Sequence, residues 1–208
     1  MRLTRYFTFL LASFLFAVAA SFDVLSGANA QTVDSAYSST ARKDCRVIGA
    51  HSGVDDSTTR VCPGKAGLIV LASEDDLRET VSVGRNRAAA AREPAAQAWF
   101  GPFNSATTTI EWRMIAGKPF AIIQRWHIDD NSDEDGGGRP IPKAMLVVTR
   151  LPPGAVCHVA YVDVAANPDA NELARKAADQ IARDFNCGKD EVRVIGKSGR
   201  AIELAMRR

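Results

Sequence analysis

The stretch "NPDANELARKAADQIARDFNCG", Asn167 to Gly188, decides how the rest of the chain is read. Asn167 is a natural N-cap, and Pro168 suits the first helical position, where no backbone donor is needed. Asp169 and Glu172 place negative charge at the positive end of the helix dipole. Leu173, Ala177, Ile181 and Phe185 recur every four residues and form one apolar stripe, with Arg175, Lys176, Asp179 and Arg183 lying off it. Gly188 supplies the stop. A one-sided helix needs an apolar surface to lie on, and the sequence before it shows which surface that is.

Upstream run short strand-like segments separated by turn formers. Cys45 to Ala50 and Thr58 to Cys62 flank "HSGVDDS" and predict a hairpin. "GLIVLAS" (Gly67 to Ser73) is a continuous apolar run of strand length, and "LRETVSVG" follows it. Residues 85–98 are alanine-rich and predict one or two helical turns, broken at Pro94. "TTTIEWRM" and "PFAIIQRWHI" are joined by a tight turn at Gly117-Lys118, and "AMLVVTR", "LPPGA" and "VCHVAYVDV" give two further strands around a forced turn. "EVRVIG" and "RAIELAM" finish the chain. The expected fold is α+β, with a mainly antiparallel sheet, one long helix packed on it in the C-terminal half, and two disulfides.

The disulfides come from Cys45, Cys62, Cys157 and Cys187, an even count that fits an oxidising compartment. Four cysteines allow three pairings; proximity along the chain favours Cys45–Cys62 and Cys157–Cys187, each worth ~3 kcal/mol by loop entropy. The second would fix the helix onto the sheet. A zinc site is the rival reading, but neither C-x-x-C nor H-x(3–5)-H spacing occurs. No cofactor or metal is expected.

The N-terminus explains the oxidising compartment. Arg2 and Arg5 precede an uncharged apolar run from Tyr6 to Phe22, and Ala28-Asn29-Ala30 ends it with small residues. This is the pattern of a secretory signal peptide over residues 1–30, with cleavage after Ala30. The run of 17 residues falls short of the ~20 that span a bilayer, so no stable membrane anchor is expected after cleavage. Residues 31–43 are polar and unpatterned and predict a flexible arm, leaving 44–208 as a single domain. The whole, rich in alanine and arginine behind such a leader, is similar to exported proteins of Gram-negative bacteria. That resemblance implies a periplasmic or secreted protein and supplies no site residues.

The mature part carries 24 basic against 23 acidic residues, a net charge of +1 that gives no case for nucleic acid or for an anionic membrane surface. The densest basic group, Arg85, Arg87 and Arg92, reads as a solvated helical turn. "DDNSDEDGGGRP" (Asp129 to Pro140) holds five carboxylates but matches no calcium ladder, because Glu134 or Pro142 falls where a glycine or a bidentate glutamate is required. It reads as a charged hairpin loop between two strands. "VIGKSGR" echoes the tail of a phosphate-binding loop, but Glu191 stands where the first glycine is needed. His158 beside Cys157 suggests a nucleophile pair, yet neighbours on a strand face opposite ways and the disulfide would consume the thiolate.

Two functional expectations follow. The first is a non-catalytic binding or envelope-accessory domain whose partner the sequence does not name, with Trp99, Phe100 and Phe103 in the turn "WFGPFNS" as its contact residues. The second is an exported hydrolase with a site near His127 and the acidic loop. The first is favoured, since no G-x-S-x-G, S-x-x-K or H-E-x-x-H occurs.

Overall fold

The structure, a computed structural model, describes residues 32–48 and 57–206. The leader expected over residues 1–30, and His51 with most of the first predicted turn, lie outside the described residues. From Gln31 onward the chain forms one compact unit. Its strands are β1 (Val33–Ser39), β2 (Arg46–Ile48), β3 (Thr58–Pro63), β4 (Ile69–Asp75), β5 (Arg78–Gly84), β6 (Asn104–Ile115), β7 (Lys118–Ile128), β8 (Lys143–Arg150), β9 (His158–Asp163) and β10 (Arg193–Val194). Its helices are α1 (Arg87–Ala91), α2 (Ala170–Ile181) and α3 (Arg200–Ala205).

Two sheets result, a six-stranded one in the order β1-β6-β7-β8-β9-β10 and a four-stranded one in the order β2-β3-β4-β5. Alternation along the strands of the large sheet sends residues to two different cores. Ile110, Trp112, Ile122, Trp126, Met145 and Val147 face the small sheet, whose Val70, Ala72, Val81 and Val83 meet them together with Ile202 and Leu204 of α3. Ala121, Ile123, Leu146, Val148 and Val162 face the other way, onto Ala170, Ala174, Ala177 and Ala178 of α2. The alanines matter, because small side chains let the helix lie close on the sheet. The disulfides Cys45–Cys62 and Cys157–Cys187 are both present.

Several expectations are corrected here. Among the described residues the fold is dominated by sheet and contains three α-helices rather than one long helix on an antiparallel sheet. The large sheet is mixed, because β10 runs parallel to β9. Parallel neighbours need a crossover, and α2 is that crossover. α2 also stops at Ile181, well before Gly188. Beyond it, Phe185 turns into the helix-side core and Cys187 reaches Cys157, two demands that a straight helix would not meet together. Asn167 does not cap α2: its side chain donates to the carbonyls of Asp163 and Lys197 and accepts from the Lys197 amide, tying the helix start to the segment before α3.

The flexible arm is also corrected. Residues 33–39 form β1, paired antiparallel with β6 from Val33↔Ile115 to Ser39↔Thr109. Polar side chains hold it there. Ser35 donates to Glu111 at 2.6 Å, and the Trp112 indole donates to Ser38 at 2.8 Å. The face that bears Ser35 and Glu111, opposite that of Trp112, carries a charge network that docks α2: Arg113 pairs bidentately with Asp179 at 2.9 and 2.7 Å, and Arg175 with Glu111 at 2.7 and 3.1 Å.

Candidate functional site

Five segments distant in sequence meet at one end of the sandwich and bound a cleft of about 780 Å³. They are the β3–β4 turn, Arg85 after β5, the β6–β7 turn, the loop after β8, and Arg183 beyond α2. The β6–β7 turn reverses the chain in two residues, Ala116 and Gly117, both at positive φ, the geometry whose twist matches that of the strands. Apolar surface comes from Leu68, Ile115, Phe120, Leu151 and Pro152. Charge comes from Arg85, Lys118, Arg150 and Arg183, and among the described residues no acidic side chain lines the cleft. Arg85, Lys118 and Arg183 are exposed, and none of them forms an ion pair among the described residues.

The cationic groups differ in how firmly they are held. Arg150 donates to the carbonyls of Ala155 at 2.6 Å and Pro153 at 2.8 Å, so its charge is fixed in place without being neutralised by a carboxylate. Gly154 makes this possible: at φ +90 it lets the loop wrap the guanidinium, and a Cβ there would lie 2.8 Å from Arg150 Nη1. The Arg150 Nε is buried with no partner among the described residues. Arg183 lies over the Phe120 ring, 5.8 Å from its centroid, so cation and apolar surface meet at one point. Cys187 Sγ lies 3.4 Å from the Ala155 carbonyl that holds Arg150. The Cys157–Cys187 disulfide therefore fastens the segment carrying Arg183 to the loop carrying Arg150. Clustered cations over low-dielectric walls raise the local concentration of anions.

The acidic loop is a connection between β7 and β8, stiffened by its own contacts. Asp135 accepts from the amides of Gly137 and Arg139 at 2.8 and 3.0 Å, and Asp133 pairs with Lys143. Asp130 is buried and takes a bidentate contact from Arg200, at 2.6 and 2.8 Å, which with Ser132 holds its carboxyl far below the usual carboxylate range. Three of the five carboxylates, Asp130, Asp133 and Asp135, are thus spent on the loop and on α3. The His127 side chain forms no hydrogen bond or ion pair among the described residues. No group of three or more metal-binding side chains occurs among the described residues.

The aromatic turn divides. Trp99 is 44 % exposed, whereas Phe100 is 3 % exposed and belongs to the core between the sheets. Phe103 is half-buried beneath the Arg78 guanidinium, 4.9 Å from its centroid. The three do not form one contact surface. Phe100 instead joins Trp126, His158 and Tyr161 in a buried cluster. A bulge in β9 builds it: Val148 pairs with Ala160 and Thr149 with His158, leaving Val159 as an extra residue. His158 and Tyr161, three apart, thereby share a face, and His158 Nδ1 lies 3.0 Å from the Tyr161 hydroxyl. Burial pushes the His158 imidazole down to about 4 and the Tyr161 hydroxyl well above its usual range. Cys157 points to the helix side, away from His158 and into its disulfide.

The phosphate-loop echo has its own structural account. Asp163, buried at the end of β9, accepts from the Ala201 amide at 3.0 Å and fills the start of α3. A Cβ on Gly199 would lie 2.6 Å from its carboxyl carbon, so the chain wraps tightly around an internal carboxylate. The cleft cations are what the sequence reading missed. Arg85 was visible only as part of a basic turn, and the others stand alone in the chain, so no linear signal joins them. Among the described residues no helix is long and apolar enough to cross a membrane. Set against protein families, curated proteins and solved structures, the chain matches none of them, so its function rests on this geometry.

Proposed function

We propose that this is an exported binding domain, periplasmic or secreted, that receives an anionic component of the cell envelope in the cleft and does not transform it. Two disulfides are compatible with an oxidising location. The observation that carries the binding reading is the lining of the cleft, four cations and an apolar wall with no carboxylate among the described residues. Such a lining complements a bound anion, while hydrolysis calls for an acid–base pair. The volume lies within the range of small-molecule sites.

The test is retention. Envelope extract is passed over the immobilised oxidised protein and over an Arg85→Glu, Lys118→Glu variant, and the eluted compounds are weighed by mass spectrometry. The proposal expects one or more anions held by the wild type, lost from the variant and eluted at unchanged mass. Equal retention by both proteins would remove the cleft from the account, and elution of a converted product would end the non-catalytic reading.

A further inference from the structure

The chemistry of the cleft narrows its ligand. Its lining joins two chemistries: the apolar Leu68, Ile115, Phe120 and Leu151 share one cleft with Arg85, Lys118, Arg183 and Arg150, the last held by its loop. A compact anion such as inorganic phosphate would reach the cations and leave that apolar wall wet. A neutral apolar molecule would cover the wall and leave four positive charges without a counter-charge. Only a molecule with both parts satisfies the lining, and the contact of Arg183 with the Phe120 ring marks where head and tail must join. The concavity also favours a small molecule over a protein surface, which needs a broad and largely flat contact.

We infer that the cleft binds a single-chain amphiphile, one anionic headgroup on an alkyl tail, with the head among Arg150, Arg183 and Lys118 and the tail along Leu68, Ile115, Phe120 and Leu151. This rests on the binding reading above and deepens it. A carboxylate head would point to free fatty acids as the source and a phosphate head to lipid phosphates, since both present negatively charged oxygens that guanidinium groups bind bidentately.

The experiment is a chain-length series titrated calorimetrically into the oxidised full chain, below micelle-forming concentrations. Alkyl carboxylates and alkyl phosphates of 8, 10, 12 and 14 carbons are compared with dodecyl maltoside, dodecyltrimethylammonium and inorganic phosphate. Burial of each methylene tightens binding about fourfold, so affinity is expected to rise roughly tenfold or more per two carbons until the wall is covered. The neutral and cationic dodecyl compounds are expected to bind at least tenfold more weakly than the anions. Arg85→Glu, Lys118→Glu, at exposed positions where folding is not at stake, is expected to abolish that preference. The tighter of the two anionic series identifies the source.

A flat dependence on chain length, or inorganic phosphate binding as well as dodecyl phosphate, overturns the amphiphile. Equal affinity for dodecyl maltoside overturns the role of the cations. If envelope anions are retained through the cleft while the alkyl series stays flat, the binding reading stands and the amphiphile falls. If neither occurs, both fall.

Discussion

Acidification should destabilise this protein through one histidine. His158 is 5 % exposed, stacked on Phe100 and paired with the Tyr161 hydroxyl. Burial lowers its folded value to about 4 from an ordinary 6.5. The unfolded chain therefore takes up a proton near pH 6.5 that the folded protein refuses until about pH 4. Its contribution to stability is complete above pH 6.5 and is lost as the pH falls through that window. At pH 4.5 the two titration curves differ by about 2.5 kcal/mol relative to pH 7.5. Urea unfolding followed by tryptophan fluorescence suits the measurement, because Trp126 belongs to the same aromatic cluster. The control is His158→Phe, which strands the Tyr161 hydroxyl at a cost of about 1 kcal/mol that does not vary with pH across this window. Carboxylates that titrate in both proteins cancel in the comparison. Wild type should lose about 2.5 kcal/mol more than the variant between pH 7.5 and 4.5. Identical losses would refute the assignment of the titration to His158.

Replacing Cys157 and Cys187 by alanine should cost about 3 kcal/mol in thermal or urea unfolding and weaken anion binding at the cleft as well, since the bridge joins the Arg150 loop to the Arg183 segment. Gly196→Ala should destabilise by about 2–3 kcal/mol: φ there is +78, and the new Cβ would lie 2.4 Å from Asn167 Oδ1 and 2.8 Å from Leu173 Cδ1. Urea midpoints measure it, and a neutral result would mean that the Asn167 bridge is dispensable. Glu111→Gln takes from Arg175 the carboxylate it pairs with, leaves Arg113 with Asp179, and should cost about 2 kcal/mol, below the ~3–5 kcal/mol of a fully buried pair because the Arg175 side chain is 39 % exposed. A double variant with Arg175→Gln should lose less than the sum of the two single changes.

Period-two apolar patterns were enough to read the central strands, and Ile110, Trp112 and Met114 do share one buried face. Disulfide pairing was legible because neighbours in sequence were also neighbours in space. β1 was not legible: "VDSAYSS" has no apolar alternation, and its place is set by hydroxyl contacts with β6 residues about 75 positions away. The end of α2 was misread because the pattern of Phe185 continues the helical stripe while its backbone leaves the helix. Phe100 shows why an aromatic in a Gly-Pro turn says little about exposure, since the turn folds that ring inward and leaves Trp99 outside. The cleft was illegible for a different reason. Nothing in the sequence around any one of its cations marks it out, and only the packing of five segments makes them one site.

β1 also sets a clock. The four-stranded sheet and α1 lie in the chain between β1 and β6, although those two are direct neighbours in the large sheet. Ser35 and its partner Glu111 are 76 residues apart. At roughly 5–20 residues per second, a chain made from its N-terminus leaves β1 without a partner for about 4–15 s. A hydrophobic strand waiting that long would offer itself to other chains. The serines and the aspartate that hid β1 from a pattern search are what let it wait.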